Sequence, residues 1–320
     1  MVVFGSESLQ SLLTLSDDAF GPRSDHPWVL VSLADLTIPD ARRLSNLPCP
    51  MIGLGEGPAA PLLDLVVADL RAAEPLVANI ASAPLAALVL VQTLRAGEGL
   101  IPRAALTLES LAFAALQGGP EFRRWLSGRR RPDPTPPAVE PVVRVTRDEG
   151  ELRITLNRPW ALNAVDVMMR DLLAEALDLA LADDSIGRVT IEGVGRCFSV
   201  GGDVAEFGEA PDAATAHWVR TLRGPARRLI DLRDRLTARV QGGVVGAGLE
   251  MAAFAGRLVA TPDAWFQLPE LRYGLIPGAG GTVSVPARVG RQRTAWLALS
   301  MRRLNARTAL EWGLIDAIEH

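Results

Sequence analysis

Ala264-Trp265-Phe266-Gln267-Leu268-Pro269-Glu270-Leu271-Arg272-Tyr273-Gly274-Leu275-Ile276-Pro277-Gly278-Ala279-Gly280-Gly281-Thr282 sets one acid among apolar residues and follows it with a glycine-rich turn. Upstream, Gly242-Gly243-Val244-Val245-Gly246-Ala247-Gly248-Leu249-Glu250-Met251-Ala252 has the same design: small residues that bare their backbone amides, then a single Glu in an uncharged run. Carboxylates placed in such settings point to chemistry, and the pair Glu250 and Glu270 points to acid/base catalysis.

Working outward, hydrophobic periodicity predicts strands at 142–145 and 152–156 joined by the turn Asp148-Glu149-Gly150. A helix over 167–182 and a strand over 188–193 follow, then the glycine loop Val200-Gly201-Gly202-Asp203. Helix 214–236, strand 237–241, helix 246–255 and strand 257–260 continue the alternation, which argues an α/β fold. The prolines of residues 132–141 remove amide donors and forbid helix, so this stretch reads as a linker. The triplet Arg129-Arg130-Arg131 before it reads as a solvated helix C-terminus. Residues 61–131 are mainly helical in pattern, with helices opening at Pro84, near Leu106 and at Pro120. Residues 1–60 show possible strands at 28–33 and 51–54 and no chemical motif.

Composition sets bounds. With 48% hydrophobic and 22% charged residues over 320 positions, the chain can bury a large core. A net charge of −4 gives no electrostatic reason to expect nucleic acid. All 33 basic residues are Arg, so any anion must be held by guanidinium groups, backbone amides or helix termini. Cys49 and Cys197 lie far apart without metal-ligand spacing, which argues against a disulfide framework and a zinc site. The first Arg is Arg23, so the start lacks the basic character of a targeting peptide, and the apolar run 83–91 is too short to span a bilayer. A cytoplasmic protein with no membrane association is expected. His26, His217 and His320 lie outside every motif and read as surface or packing residues.

The order of four motifs is specific: Leu156-Asn157-Arg158-Pro159-Trp160-Ala161-Leu162-Asn163-Ala164, then Cys197-Phe198-Ser199-Val200-Gly201-Gly202-Asp203, then the two Glu segments. Over residues 142–320 this order resembles the crotonase (enoyl-CoA hydratase/isomerase) superfamily. The resemblance implies a ββα spiral core that binds acyl-CoA thioesters, with coenzyme A as part of the substrate and no prosthetic group or metal. It implies that the amides of Gly202 and Ala247 form an oxyanion hole, with Glu250 and Glu270 as the acid/base pair. It also sets Ala161, Asn163, Gly201, Asp203 and Gly246 along the coenzyme A site. Many relatives carry Lys two positions after the loop Asp, where this chain has Ala205; Arg158, Arg170 and Arg196 are the candidate substitutes. Trp160 and Trp265 are candidates to line an acyl pocket, although core packing is the ordinary role of an aromatic.

Crotonases normally continue past the core with several helices, and residues 61–131 look like that tail placed first. The expectation is therefore a chain circularly permuted relative to its relatives, or a fused duplicate whose first copy lost most of its core, with residues 61–131 covering the core. Family precedent makes a homotrimer or a dimer of trimers the expected assembly. Both acids favour hydration; the alternatives are an isomerase, another crotonase reaction such as decarboxylation or thioester hydrolysis, or a non-catalytic acyl-CoA-binding subunit.

Overall fold

The computed structural model describes residues 3–129 and 140–319. Most of the expected linker, together with Arg130, Arg131 and His320, lies outside the described residues.

The chain opens with a small parallel unit of α1 (Ser6–Thr14), β1 (Val29–Ser32), α2 (Ile38–Leu44), β2 (Met51–Leu54) and β3 (Leu65–Val67), the strands lying in the order β1-β2-β3. It has its own buried cluster, centred on Leu9, Val31, Leu44 and Leu63. Both anticipated strands are present, and the sheet runs past residue 60 through β3. Helices α3 (Leu70–Ser82), α4 (Pro84–Gly97), α5 (Pro102–Gln117) and α6 (Pro120–Gly128) follow. The apolar run expected to be a buried helix lies in α4. Among the described residues no single helix is long and apolar enough to cross a membrane; α3 and α4 would suffice only together, and they are bent by 109°.

The second half contains β4 (Val143–Asp148), β5 (Glu151–Leu156), α7 (Val167–Ala182), β6 (Arg188–Gly193), β7 (Cys197–Ser199), α8 (Ala213–Arg223) and α9 (Ala226–Leu232). It continues with β8 (Leu236–Val240), β9 (Gly243–Val245), α10 (Ala247–Ala252), β10 (Arg257–Ala260), β11 (Trp265–Gln267), α11 (Gly281–Ser300), β12 (Leu304–Asn305), α12 (Ala306–Trp312) and β13 (Ala317–Ile318). Two sheets result, ordered β13-β10-β8-β6-β5-β4 and β12-β11-β9-β7. Strands β6, β8 and β10 enter the first sheet, and the strand after each (β7, β9, β11) enters the second. A helical segment follows every such pair, so each turn of the chain is a ββα unit. The expected single helix 214–236 is two helices, because Gly224-Pro225 interrupts it: the Gly224 amide closes on Arg220 O and Pro225 supplies no amide. The expected helix 246–255 is shortened to α10.

One buried cluster runs from Leu76, Leu90 and Phe122 of the preceding helices through Leu177, Val244, Phe266 and Leu297 of the core. Within the preceding helices, Glu121 of α6 accepts hydrogen bonds from the Leu85 and Ala86 amides at 2.8 and 2.9 Å, satisfying orphan donors at the start of α4. The join to the core is also polar. Asn79 of α3 donates to the carbonyls of Leu299 and Ser300 at 2.9 and 3.0 Å, capping the far end of α11.

Candidate active site

Two glycine loops meet at the ends of β7 and β9. Gly201 takes φ +93°, and its carbonyl accepts from the Val165 amide at 2.8 Å while the Asp203 amide donates to Val165 O at 2.9 Å. Gly202 is thus pinned between two anchors. Gly246 takes φ 49° and ψ −126°, outside the range open to an L side chain, and turns β9 into α10. A Cβ on Gly201 would stand 3.3 Å from the Ala247 nitrogen, so the loops touch. Neither the Gly202 nor the Ala247 amide donates to another described residue. Both residues line a cavity of about 140 Å³ with Glu109, Arg220, Gly278 and Gly280. A second cavity of about 570 Å³ shares Val165, Arg170, Gly202 and Arg220 with it.

The motif from Arg158 to Ala164 builds this loop from behind. Asn163 is fully buried and left-handed at φ 56°; its side chain accepts from the Arg158 amide and donates to Val194 O and Cys197 O at 2.8–3.0 Å. Its carbonyl accepts from Ser199 Oγ at 2.7 Å. Arg158 pairs with Asp203 at 2.7 Å and Asp166 at 3.4 Å. Asp203 also accepts from the Ala205 amide, so it braces its loop. Arg158 is therefore committed internally, and Arg196 is exposed on a turn; among the three substitutes only Arg170 lines both cavities. Arg129 does not sit free in solvent as expected: it donates to the carbonyls of Val204, Ala205 and Phe207. Trp160 is exposed and Trp265 lies under the Arg303 guanidinium, 3.9 Å from its ring centre; neither lines either cavity, because both sit on faces turned elsewhere. His217 lies 2.9 Å from Ser110 Oγ, and Cys197 is a buried strand residue.

Glu250 and Glu270 are brought together, buried to 2% and 9% exposure. Neither lines either cavity, but Glu250 is hydrogen-bonded to Ala279, which lines the first. Glu250 Oε2 accepts from the Ala279 and Gly281 amides at 2.7 and 2.8 Å. Glu270 Oε1 lies 2.6 Å from where a Cβ on Gly246 would sit, so only glycine leaves room for this acid beside the Ala247 amide. Glu270 Oε2 is buried without a hydrogen-bond partner among the described residues. A third acid that no motif marks joins them: Glu109 of α5, 2% exposed, accepts from the Gly280 amide, the Thr282 amide and Thr282 Oγ1 at 2.7–2.8 Å. Its only signal was a lone acid in the apolar pattern of α5. Among the described residues no three His, Cys, Asp or Glu side chains converge as metal ligands do.

Loss of solvent pushes all three carboxyls up: Glu109 to about 7, Glu270 to about 8, and Glu250 well above the usual range, with the neighbouring Glu270 and Glu109 adding repulsion at Glu250. Within the pair the hydrogen bonds decide the sharing. Two amides favour a charge on Glu250, and the unpartnered oxygen of Glu270 favours the proton there. Burial pulls Arg220 down to about 10, opposed by the charge of Glu109.

These shifts set the sign of the pH dependence of stability. Glu109 and Glu270 hold protons in the fold that the unfolded chain releases above the ordinary value of 4.5. Their contribution is complete below that value and is lost as pH rises through about 7 and 8. Thermal unfolding is expected at lower temperature at pH 9 than at pH 6, with a shallower pH slope in Glu270→Gln; a variant slope equal to wild type would contradict it.

The enoyl-CoA hydratase/isomerase family model matches residues 146–319, which contain both glycine loops and both core acids. The chain belongs to the enoyl-CoA hydratase/isomerase family. It is 36% identical over 174 residues to 2,3-dehydroadipyl-CoA hydratase of Escherichia coli, covering 54% of this chain and 68% of that relative. It is also 36% identical over 174 residues to 1,2-epoxyphenylacetyl-CoA isomerase of E. coli, covering 52% and 66%. The solved enoyl-CoA hydratase of Thermoplasma volcanium superposes with a TM-score of 0.51 at 33% identity, covering 56% of this chain and 72% of that one. The crotonase-like core expected from the motifs is thus present, and this is an enzyme of that family. Glu109 lies outside the matched residues.

Proposed function

We propose that the protein adds water to a 2-enoyl-CoA, or removes it from the corresponding 3-hydroxyacyl-CoA, with coenzyme A entering as part of the substrate. The observation that carries this reading is the contact of two unpartnered amides, Gly202 and Ala247, with a buried Glu pair immediately behind them. The thioester oxygen accepts from both amides. Glu250, held as the carboxylate, takes a proton from water as the water oxygen bonds to the β-carbon. Electrons move through the α-carbon to the thioester oxygen, where fixed dipoles stabilise the developing charge without reorganising. Protonated Glu270 then delivers its proton to the α-carbon, so one water is added and no net charge is created. The apolar walls at Leu106, Val165, Ala226 and Met251 exclude solvent from this charge separation.

A second reading has its own support. Both donors on Glu250 engage one oxygen, which leaves Glu270 as the acid free to move a proton, and one mobile acid suffices to shift a double bond. Assays with trans-2-enoyl-CoA and trans-3-enoyl-CoA thioesters of graded length separate the two. Loss of the conjugated 2-enoyl chromophore supports hydration, and its appearance from the 3-enoyl substrate supports isomerisation. Binding without turnover of either would count against both and favour another reaction of the family, such as decarboxylation or thioester hydrolysis.

We also propose that α3–α6 take the covering place that a tail following the core holds in relatives, as the caps on both ends of α11 support. A homotrimer or a dimer of trimers is the assembly we propose on family likeness.

A further inference from the structure

Four successive amides at the start of α11 are shared alternately by two carboxylates from different parts of the chain. Ala279 and Gly281 donate to Glu250 of the core; Gly280 and Thr282 donate to Glu109 of α5. These are orphan donors of a helix N-terminus, which need acceptors wherever the helix start is buried. One carboxylate would satisfy two of them. Using two brings a third carboxyl against Glu250 and Glu270, and once it ionises its charge repels theirs.

We propose that Glu109, supplied by a helix preceding the family core, is a positioning residue: it locks the segment that also holds Glu250, and its charge strengthens the hold of the core pair on its shared proton. This inference rests on the acid/base reading of Glu250 and Glu270. Its geometry stands apart from any titration, since Glu109 lines the cavity that Gly202 and Ala247 line and reaches the loop between them and α11. The groups facing it are Arg220 and His217 on α8, Arg227 on α9, Arg170 on α7, and the two core acids. Arg220 is the cation that acts on it directly; its Nε donates to Ser110 Oγ at 3.0 Å, beside Glu109 on α5. A negative Glu109 holds the carboxyls of Glu250 and Glu270 up. Removing that charge therefore lowers both, and a reaction that needs Glu270 protonated fails at lower pH.

The test compares Glu109→Gln and Glu109→Asp in the full chain, reading the pH profile of kcat with trans-2-butenoyl-CoA and an infrared titration of the protonated carboxyl band, assigned with Glu270→Gln. In Glu109→Gln the alkaline limb and the Glu270 infrared midpoint should both move down by about one pH unit. Glu109→Asp keeps the charge, so its limb should stay in place while kcat falls at least about tenfold, as expected for a small misplacement. A loss of activity in Glu109→Gln with both titrations unmoved would overturn the proposal and leave Glu109 a helix cap. If the wild-type protein turns over no enoyl-CoA, the functional reading fails, yet the infrared midpoint still decides the role of Glu109. If Glu109→Gln does not fold, Glu109→Asp decides: an alkaline limb left in place with kcat down at least about tenfold supports the inference, and wild-type kcat overturns it.

Discussion

Replacing Glu270 by Gln should lower kcat for hydration near neutral pH by about two to four orders of magnitude, with KM for the thioester changed only a few fold. Gln keeps the shape and polarity of the side chain but cannot release a proton to carbon. The site favours a clean result, because Oε2 of Glu270 makes no hydrogen bond that the substitution would break. Glu250→Gln should fall by a similar factor for hydration, but it also sets an amide NH2 or a weaker acceptor against the Ala279 and Gly281 donors. Part of its loss should therefore appear as lower thermal stability. Isomerisation separates the roles: an enzyme that moves one proton through Glu270 keeps that activity in Glu250→Gln and loses it in Glu270→Gln. Steady-state kinetics on both substrates, with melting temperature as the folding control, check this. Wild-type hydration in either variant would remove that residue from the reaction.

The parts of this site that the sequence displayed are those where backbone geometry dictates residue type. Gly201 and Gly246 adopt positive φ and approach neighbouring chain so closely that no side chain fits, and such positions stand out as glycines beside strand patterns. Glu250 and Glu270 stood out because their flanks Leu249, Met251, Leu268 and Leu271 are buried and apolar. Glu109 was illegible for the opposite reason. An acid on a helix ordinarily faces water, and the amides that fix it are 171 and 173 residues away, a pairing that periodicity within α5 does not encode. Arg158 failed in the same manner: a cation in a substrate-binding motif suggests a phosphate contact, but its partner Asp203 is 45 residues on and becomes adjacent only when β7 is laid beside the 158–164 turn. The break between α8 and α9 was written as Gly224-Pro225, yet apolar periodicity on both sides concealed it.

Ala247→Pro should lower kcat by about two to three orders of magnitude, the loss of about 3 kcal/mol typical of one oxyanion donor. Proline removes the backbone N–H under test, and the position suits it unusually well. Ala247 is the first residue of α10, where the amide has no intrahelical acceptor and the fixed φ of proline matches the helix. Gly246 before it has no Cβ to clash with the proline ring, and the helix still closes through the Glu250 amide donating to Gly246 O at 2.9 Å. The ring Cδ takes the place of the hydrogen and faces the cavity, so weaker thioester binding should accompany the fall in kcat. Ala247→Gly keeps the N–H and serves as the control, with activity within a few fold of wild type because a helix start tolerates glycine. If Ala247→Pro folds with wild-type melting and retains full turnover, the thioester oxygen is bound elsewhere, and the contact between the β7 and β9 loops is packing alone.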